Sequence, residues 1–294
     1  LHYQSGKPLS DFRIDQIISP DISVDRNHVE AQLKSEHASL LEKDSMHFSA
    51  SSLNTYQDCP LQYKFSRVLE VPTLPKTFFD LGKAVHSVVE VLTKRQINEQ
   101  GYLPTKQDAI GLLDRYWVSS TYQTAKAEEE DRTSAEKMLE FYVRWCEQRV
   151  REGYTPFAAE KNFEIEISGK KLVGVIDRVD LTPDGEYEVF DYKTSRSGLN
   201  ASQIKKDIQM NAYCIAIQKL YGKLPVSASL LYLRKEEKVS YLVTPGSVEP
   251  VRREMEVLID GILNERFDPV PDYFTCKYCD YKSICDAKEI EDEE

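Results

Sequence analysis

From about residue 50 the apolar positions fall at helical spacing. Serines able to cap a helix precede Leu53 and Tyr56 in "HFSASSLNTYQDCPLQYKF". The same period predicts helices over about 78–98 ("FFDLGKAVHSVVEVLTKRQ"), 105–118 and 132–152, the last with an apolar face of Leu139, Tyr142, Val143 and Cys146. After "GYTPF" the period changes to two, and "AAEKNFEIEI", "KLVGVIDRVDL" and "EYEVFDYKT" read as three consecutive strands. A helix over about 203–221, short strands in "SASLLYLR" and "VSYLV", a helix over about 247–264 and a cysteine-bearing tail follow. Residues 1–45 are polar and weakly periodic, the texture of a linker or the tail of a preceding domain, which leaves one folded domain over 46–294. Helices, strands, a helix and strands in that order predict an α/β fold with helices around a small mixed sheet.

The two strands of "GVIDRVDLTPDGEYEVFDYKTS" carry the most chemistry. Pro183, Asp184 and Gly185 suit a three-residue hairpin loop with Gly185 in the left-handed position. Residue 182 then faces 186, and 177 lies opposite 191. Alternation puts Val175, Asp177 and Val179 on the same face as Val189, Asp191 and Lys193, and turns Arg178 and Asp180 to the other face, into ordinary salt bridges. Two carboxylates side by side among valines repel each other and resist burial. A divalent cation relieves both problems, and Mg²⁺ commonly takes one or two carboxylates with waters and a phosphate oxygen. Lys193 would then reach a scissile phosphate or its attacking water, a set suited to phosphodiester hydrolysis. Such a hairpin taken alone is more often a solvated face.

His86 shares a helical stripe with Phe79, Gly82 and Val89. A histidine there is commonly a core residue, but Gly82 one turn earlier leaves room for another backbone or a substrate strand, and a neutral imidazole can complete a carboxylate metal set. Gln209 and Tyr213, four apart, share one side of their helix and suit either a phosphate contact or an edge of the core. Arg196, Lys205 and Lys206 make a local basic patch near that helix.

Composition narrows the possibilities. The chain has 294 residues, 41% of them hydrophobic and 10% aromatic, as expected of a folded protein. A net charge of −11 argues against a general polyanion binder, so a nucleic-acid surface must be local. No run approaches a membrane span and the N-terminus lacks a secretory pattern, so a soluble, cytoplasmic protein is expected. The start at Leu1, without Met, suggests a segment of a longer chain. Six cysteines, three of them in "FTCKYCDYKSIC", fit metal ligation in a reducing compartment better than disulfides, with Cys146 and Cys214 read as small core residues. Spacing alone leaves structural zinc and an iron-sulfur cluster both open.

Six ordered blocks, "SASSLNTYQDCPLQYKF", "LGKAVHSVVE", "GVIDRVD", "DYKTS", "QMNAY" and the cysteine tail, together resemble the RecB-like branch of the PD-(D/E)XK nuclease superfamily over about residues 46–290. The resemblance implies a restriction-endonuclease-like core with a central mixed sheet flanked by helices. It implies Mg²⁺ or Mn²⁺ held by His86, Asp177 and Asp191, a catalytic Lys193, and Gln209 and Tyr213 beside them. Glu160 resembles a recurrent family acid, with a plain salt bridge as its alternative role. Cysteine-bearing members such as AddB-type and CRISPR adaptation nucleases imply Cys59 as the fourth ligand beside Cys276, Cys279 and Cys285, in a [4Fe-4S] cluster stapling the N- and C-terminal parts. The opening "GKPLSDFRIDQI" is similar to the end of a superfamily 1 helicase, although no Walker A motif occurs. The implied function is a metal-dependent DNA nuclease, acting on single strands in repair or recombination end processing with a helicase partner. A catalytically silent DNA-binding module and a zinc-stapled partner-docking domain are the alternatives.

Overall fold

A computed structural model of the chain describes residues 46–73 and 78–287; the expected tail at 1–45 lies outside the described residues. A two-residue strand, β1 (His47–Phe48), leads into α1 (Ala50–Asp58). The start of α1 is fixed by a capping box: Ser52 N donates to Ser49 Oγ at 3.1 Å and Ser49 N donates to Ser52 Oγ at 2.9 Å. Pro60 opens the short α2 (Pro60–Tyr63), which runs on into a π-helical turn.

Three longer helices form one layer: α3 (Phe78–Asn98), α4 (Lys106–Tyr116) and α5 (Ala125–Arg151). Val85, Val88 and Leu92 of α3, Leu113 of α4 and Leu139, Tyr142 and Cys146 of α5 are fully buried against one another and against Phe190 and Leu231 of the sheet. The helix predicted over 132–152 begins seven residues earlier, because Thr124 caps it at 3.2 Å to Ala127 N and its first two turns are solvated.

The sheet follows, as β2 (Thr155–Ile167), β3 (Lys170–Leu181) and β4 (Tyr187–Lys193), with β5 (Ser227–Tyr232) and β6 (Glu237–Leu242) after two helices. β2 lies antiparallel along the whole of β3. On the other edge β3 takes β1, parallel, at its start and β4, antiparallel, at its end. β4 pairs parallel with β5, and β5 antiparallel with β6, so the six-stranded sheet is mixed. The predicted hairpin register holds where the ladder runs, with Val179 opposite Val189 and Leu181 opposite Tyr187. Gly185 adopts φ +76, as the loop chemistry requires.

The helix expected over 203–221 is two pieces, α6 (Ala201–Ile204) and α7 (Ile208–Tyr221). The break lies at Asp207, whose carboxylate accepts from Met210 N at 2.8 Å and so starts α7. α8 (Pro245–Leu263) and α9 (Tyr273–Tyr278) complete the described chain. No helix among the described residues is long and apolar enough to cross a membrane.

Arg178 and Asp180 correct an expectation. They do pair, Arg178 Nε donating to Asp180 Oδ1 at 2.6 Å, but both are fully buried rather than solvated. Their face of the hairpin packs under the α3–α5 layer, where Arg149 Nη2 also donates to Asp180 at 3.0 Å and to Glu188. A sheet covered on both faces gives its second face no solvent, so those charges must neutralise one another inside the protein.

Candidate active site

Asp177 and Asp191 sit where β3 and β4 separate. The ladder ends at the Arg178–Phe190 pair, and beyond it Tyr192 N donates to the Asp177 side chain at 2.8 Å. The Asp177 carboxylate thus takes the backbone donor that the splay would otherwise leave unpaired at Tyr192. α3 brings His86, whose Nδ1 is 3.8 Å from Asp177 Oδ2. Close approach depends on Gly82: a Cβ there would meet Thr194 Oγ1, one residue after Lys193, at 3.3 Å.

The end of β4 and one side of α7 form a continuous chain of contacts. Lys193 Nζ is 2.7 Å from Asp191 Oδ2 and donates to Gln209 Oε1 at 3.0 Å. Gln209 Nε2 donates to Tyr213 Oη at 3.1 Å, and Tyr213 donates to Asp191 Oδ1 at 3.2 Å. Gln209 and Tyr213 thus hold the lysine and the aspartate in place. Asp191 is almost wholly buried, with its Oδ2 paired to the Lys193 ammonium.

Electrostatics follow from this crowding. Burial lowers the His86 imidazole below its ordinary range against the opposing pull of Asp191, so at neutral pH it offers a lone pair. Burial, then the charge of Asp191, holds the Asp177 carboxyl well above the usual carboxylate range. Burial works against the Lys193 ammonium, but Asp191 beside it raises the group overall, so it stays charged. Such opposed shifts packed into one small volume are typical of functional sites.

A profile of the PD-(D/E)XK nuclease superfamily matches residues 47–286. The chain belongs to the PD-(D/E)XK nuclease superfamily. Gene 69 protein of Mycobacterium phage D29 is 28% identical over 267 residues, covering 81% of this chain and 95% of its own length. An ATP-dependent helicase/deoxyribonuclease subunit of Streptococcus agalactiae is 24% identical over 206 residues, 67% of this chain but 19% of that protein. A solved putative exonuclease from Eubacterium rectale has the same fold, with a TM-score of 0.51 at 15% identity over 88% of this chain and 94% of that one.

Nucleases of this superfamily generally use Mg²⁺ or Mn²⁺. Among the described residues no group of three or more His, Cys, Asp or Glu side chains is assembled as a ready metal centre. The donors nevertheless fit one. The 3.8 Å between His86 Nδ1 and Asp177 Oδ2 is too long for a hydrogen bond and short enough for both to share a cation at about 2.1 Å each. Asp191, a second buried acid whose charge bears on Asp177 and which has a single lysine beside it, would supply a further oxygen.

The four cysteines of the expected staple line one small cavity of about 30 Å³, with Phe65 and Tyr281 in its walls. All four thiols are free. Tyr281 N donates to Cys279 Sγ at 3.4 Å, and Tyr281 Oη to Val71 O at 3.2 Å, so the tail is anchored to the segment after α2. Cys146 and Cys214 are buried in the core, as expected.

Glu160 lies near the two aspartates. The β2–β3 ladder pairs Ala159 with Arg178 and Lys161 with Ile176, skipping Glu160 opposite Asp177, and Glu160 takes the left-handed φ of +48. For a residue with a Cβ that costs on the order of 1 kcal/mol. Burial, then Glu90, raises its carboxyl. Glu90, one turn beyond His86 and paired with Lys94 at 2.5 Å, went unremarked in the sequence; the His-x-x-x-Glu spacing was the available signal. Of the basic patch, Arg196 alone lines the cleft containing His86, where Lys83 and Arg234 join it; Lys205 and Lys206 do not.

Proposed function

We propose that this chain is a Mg²⁺- or Mn²⁺-dependent deoxyribonuclease that hydrolyses phosphodiester bonds of single-stranded DNA, processing ends in repair or recombination. The convergence of His86, Asp177, Asp191 and Lys193 from α3, β3 and β4 carries the reading. His86, Asp177 and Asp191 would hold the cation, which when bound polarises a phosphoryl oxygen and acidifies a water. Lys193 presents a fixed positive donor to the phosphate, where charge develops during displacement. Gln209 holds its ammonium and Tyr213 orients Asp191. A silent binding module would have no use for two buried acids close to a phosphate, because they repel it.

The cavity shared by Cys59, Cys276, Cys279 and Cys285 supports a structural cluster, and we assign it as [4Fe-4S] rather than zinc by family resemblance. The match to a helicase/deoxyribonuclease subunit supports a helicase partner, with residues 1–45 as the tail of a preceding domain and 46–294 as the nuclease. A cysteine set suited to a metal cluster rather than to disulfides agrees with a cytoplasmic setting.

The test is cleavage of end-labelled single-stranded and duplex DNA by anaerobically purified protein with Mg²⁺, Mn²⁺ or EDTA. Metal-dependent products, earliest on the single strand, are expected. A folded, metal-loaded protein that cleaves neither substrate refutes the reading.

A further inference from the structure

A cleft of about 680 Å³ opens at His86 and runs past Gly82 and Thr194 to Arg196 and Arg234, with Lys83 on its rim. Arg234 is fixed from two sides. Its Nε donates to Thr194 O at 3.0 Å and its Nη1 to Ser134 Oγ of α5 at 3.2 Å. Neither partner carries charge. Among the described residues no carboxylate lies within 4.0 Å of the Arg234 or Arg196 guanidinium, whereas Arg95, Arg132, Arg144 and Arg266 each pair with one. Asp131 lines the same cleft but accepts from Tyr122 Oη at 3.3 Å and does not reach either arginine. Lys83 has only a long contact with Asp80, at 4.0 Å.

In a chain of net charge −11, two guanidiniums share one cleft with a single carboxylate, Asp131, that stays beyond ion-pair distance of both. Burial, and then the neighbouring Arg196, weaken the hold of Arg234 on its proton, so the two cations repel each other across partly dehydrated space. Arg234 is also already oriented by neutral acceptors, which leaves its outer edge for a ligand. A guanidinium fork matches a phosphate. The cleft is far larger than one phosphate and begins at a residue of the candidate metal site, so it has room for a strand as well as its phosphate.

We propose that Arg196 and Arg234 grip a backbone phosphate of the DNA strand flanking the scissile phosphodiester, seating the strand in the cleft that opens at His86. This rests on the nuclease reading above. The arginines act as positioning residues: they bind the part of the substrate that does not react.

The experiment compares the full chain with Arg196→Gln, Arg234→Gln and the double variant on two substrates: a single-stranded oligonucleotide, and the p-nitrophenyl ester of thymidine 5′-phosphate, which has no flanking phosphate. Each substitution is expected to raise KM for the oligonucleotide on the order of tenfold with kcat within about threefold. Hydrolysis of the small ester should not change. Oligonucleotide binding by fluorescence anisotropy in EDTA provides a readout independent of cleavage. The slope of log K against log salt should shallow by about 0.7 in the double variant, the value for one phosphate contact on a single strand. Arg234→Lys, which keeps the charge but loses the fork and its two hydrogen bonds, should recover part of the loss of binding, which a folding defect would not allow. Unchanged KM and salt slope, or equal losses on both substrates, overturn the proposal. So does loss of inhibition by inorganic phosphate with the oligonucleotide unaffected, which would mark a free-anion site. Wild-type protein that binds DNA but cleaves nothing would refute the nuclease reading, while the salt slopes would still decide this one.

Discussion

Replacing Asp180 by alanine should destabilise the protein severely without touching the candidate active site. Asp180 is fully buried and serves two guanidiniums: Arg178 through Oδ1 at 2.6 Å, and Arg149 through Oδ2 at 3.0 and 3.2 Å. Without it Arg149 still has Glu188, which is also held by Ser227 Oγ at 2.6 Å. Arg178 keeps only neutral neighbours, Tyr142 Oη at 2.9 Å, Gln96 at 3.4 Å and the Cys146 thiol at 3.6 Å. An uncompensated charge buried in this way costs about 3–5 kcal/mol. At about 2–4 °C per kcal/mol for a domain of this size, the melting temperature should fall by roughly 6–20 °C. Thermal denaturation followed by circular dichroism measures it, with the exposed Lys126–Glu130 pair, 3.9 Å apart, as a control that should not shift on removal. Adding Arg178→Met to Asp180→Ala removes the orphaned charge and should recover a large part of the loss. A drop below about 1 kcal/mol, or no recovery in the double variant, would refute the reasoning that these charges are buried and mutually dependent.

Three further outcomes are expected. Tyr213→Phe removes the hydroxyl between Gln209 and Asp191, and should lower kcat about tenfold with KM little changed, measured by steady-state cleavage. Gly82→Val puts a branched side chain where even a Cβ meets Thr194 at 3.3 Å; it should cut cleavage strongly while the far-ultraviolet spectrum is retained. In cluster-free protein a thiol-alkylating reagent at pH 8, followed by mass spectrometry, should modify the four half-exposed cysteines and spare Cys146 and Cys214, since burial raises both buried thiols, that of Cys214 to about 12.

What could be read from the sequence was mostly local. The hairpin register rested on three loop residues whose backbone preferences do not depend on the rest of the fold, and Gly185 adopts the conformation they require. The helix over 78–98 was legible because one face is continuously apolar and meets the other helices. The start of α5 was not, because residues 125–131 have no buried stripe and only Thr124 marks the beginning. The break before α7 leaves no mark in the sequence, where Asp207 looks like any solvated acid; only its carboxylate capping Met210 N reveals it. The burial of Arg178 and Asp180 depends on helices distant in sequence covering the second face of the sheet, and strand alternation carries no sign of it. At the site, Asp177, Asp191 and Lys193 followed from strand period and register. His86 was the weaker reading, because a histidine at that helical spacing is commonly a core residue, and only Gly82 one turn earlier, the downstream carboxylates and the family resemblance pointed to a ligand; the proximity of Glu90 to Glu160 exists only in three dimensions.

In the proposed reaction Asp191, buried beside Lys193 and Asp177, is indispensable to phosphodiester hydrolysis. The most direct test is Mg²⁺-dependent cleavage of a labelled single strand by Asp191→Ala beside the unaltered chain, with equal folding verified by circular dichroism. Loss of cleavage by at least about a thousandfold in a folded variant is the predicted result. Cleavage within tenfold of the unaltered chain would contradict the account.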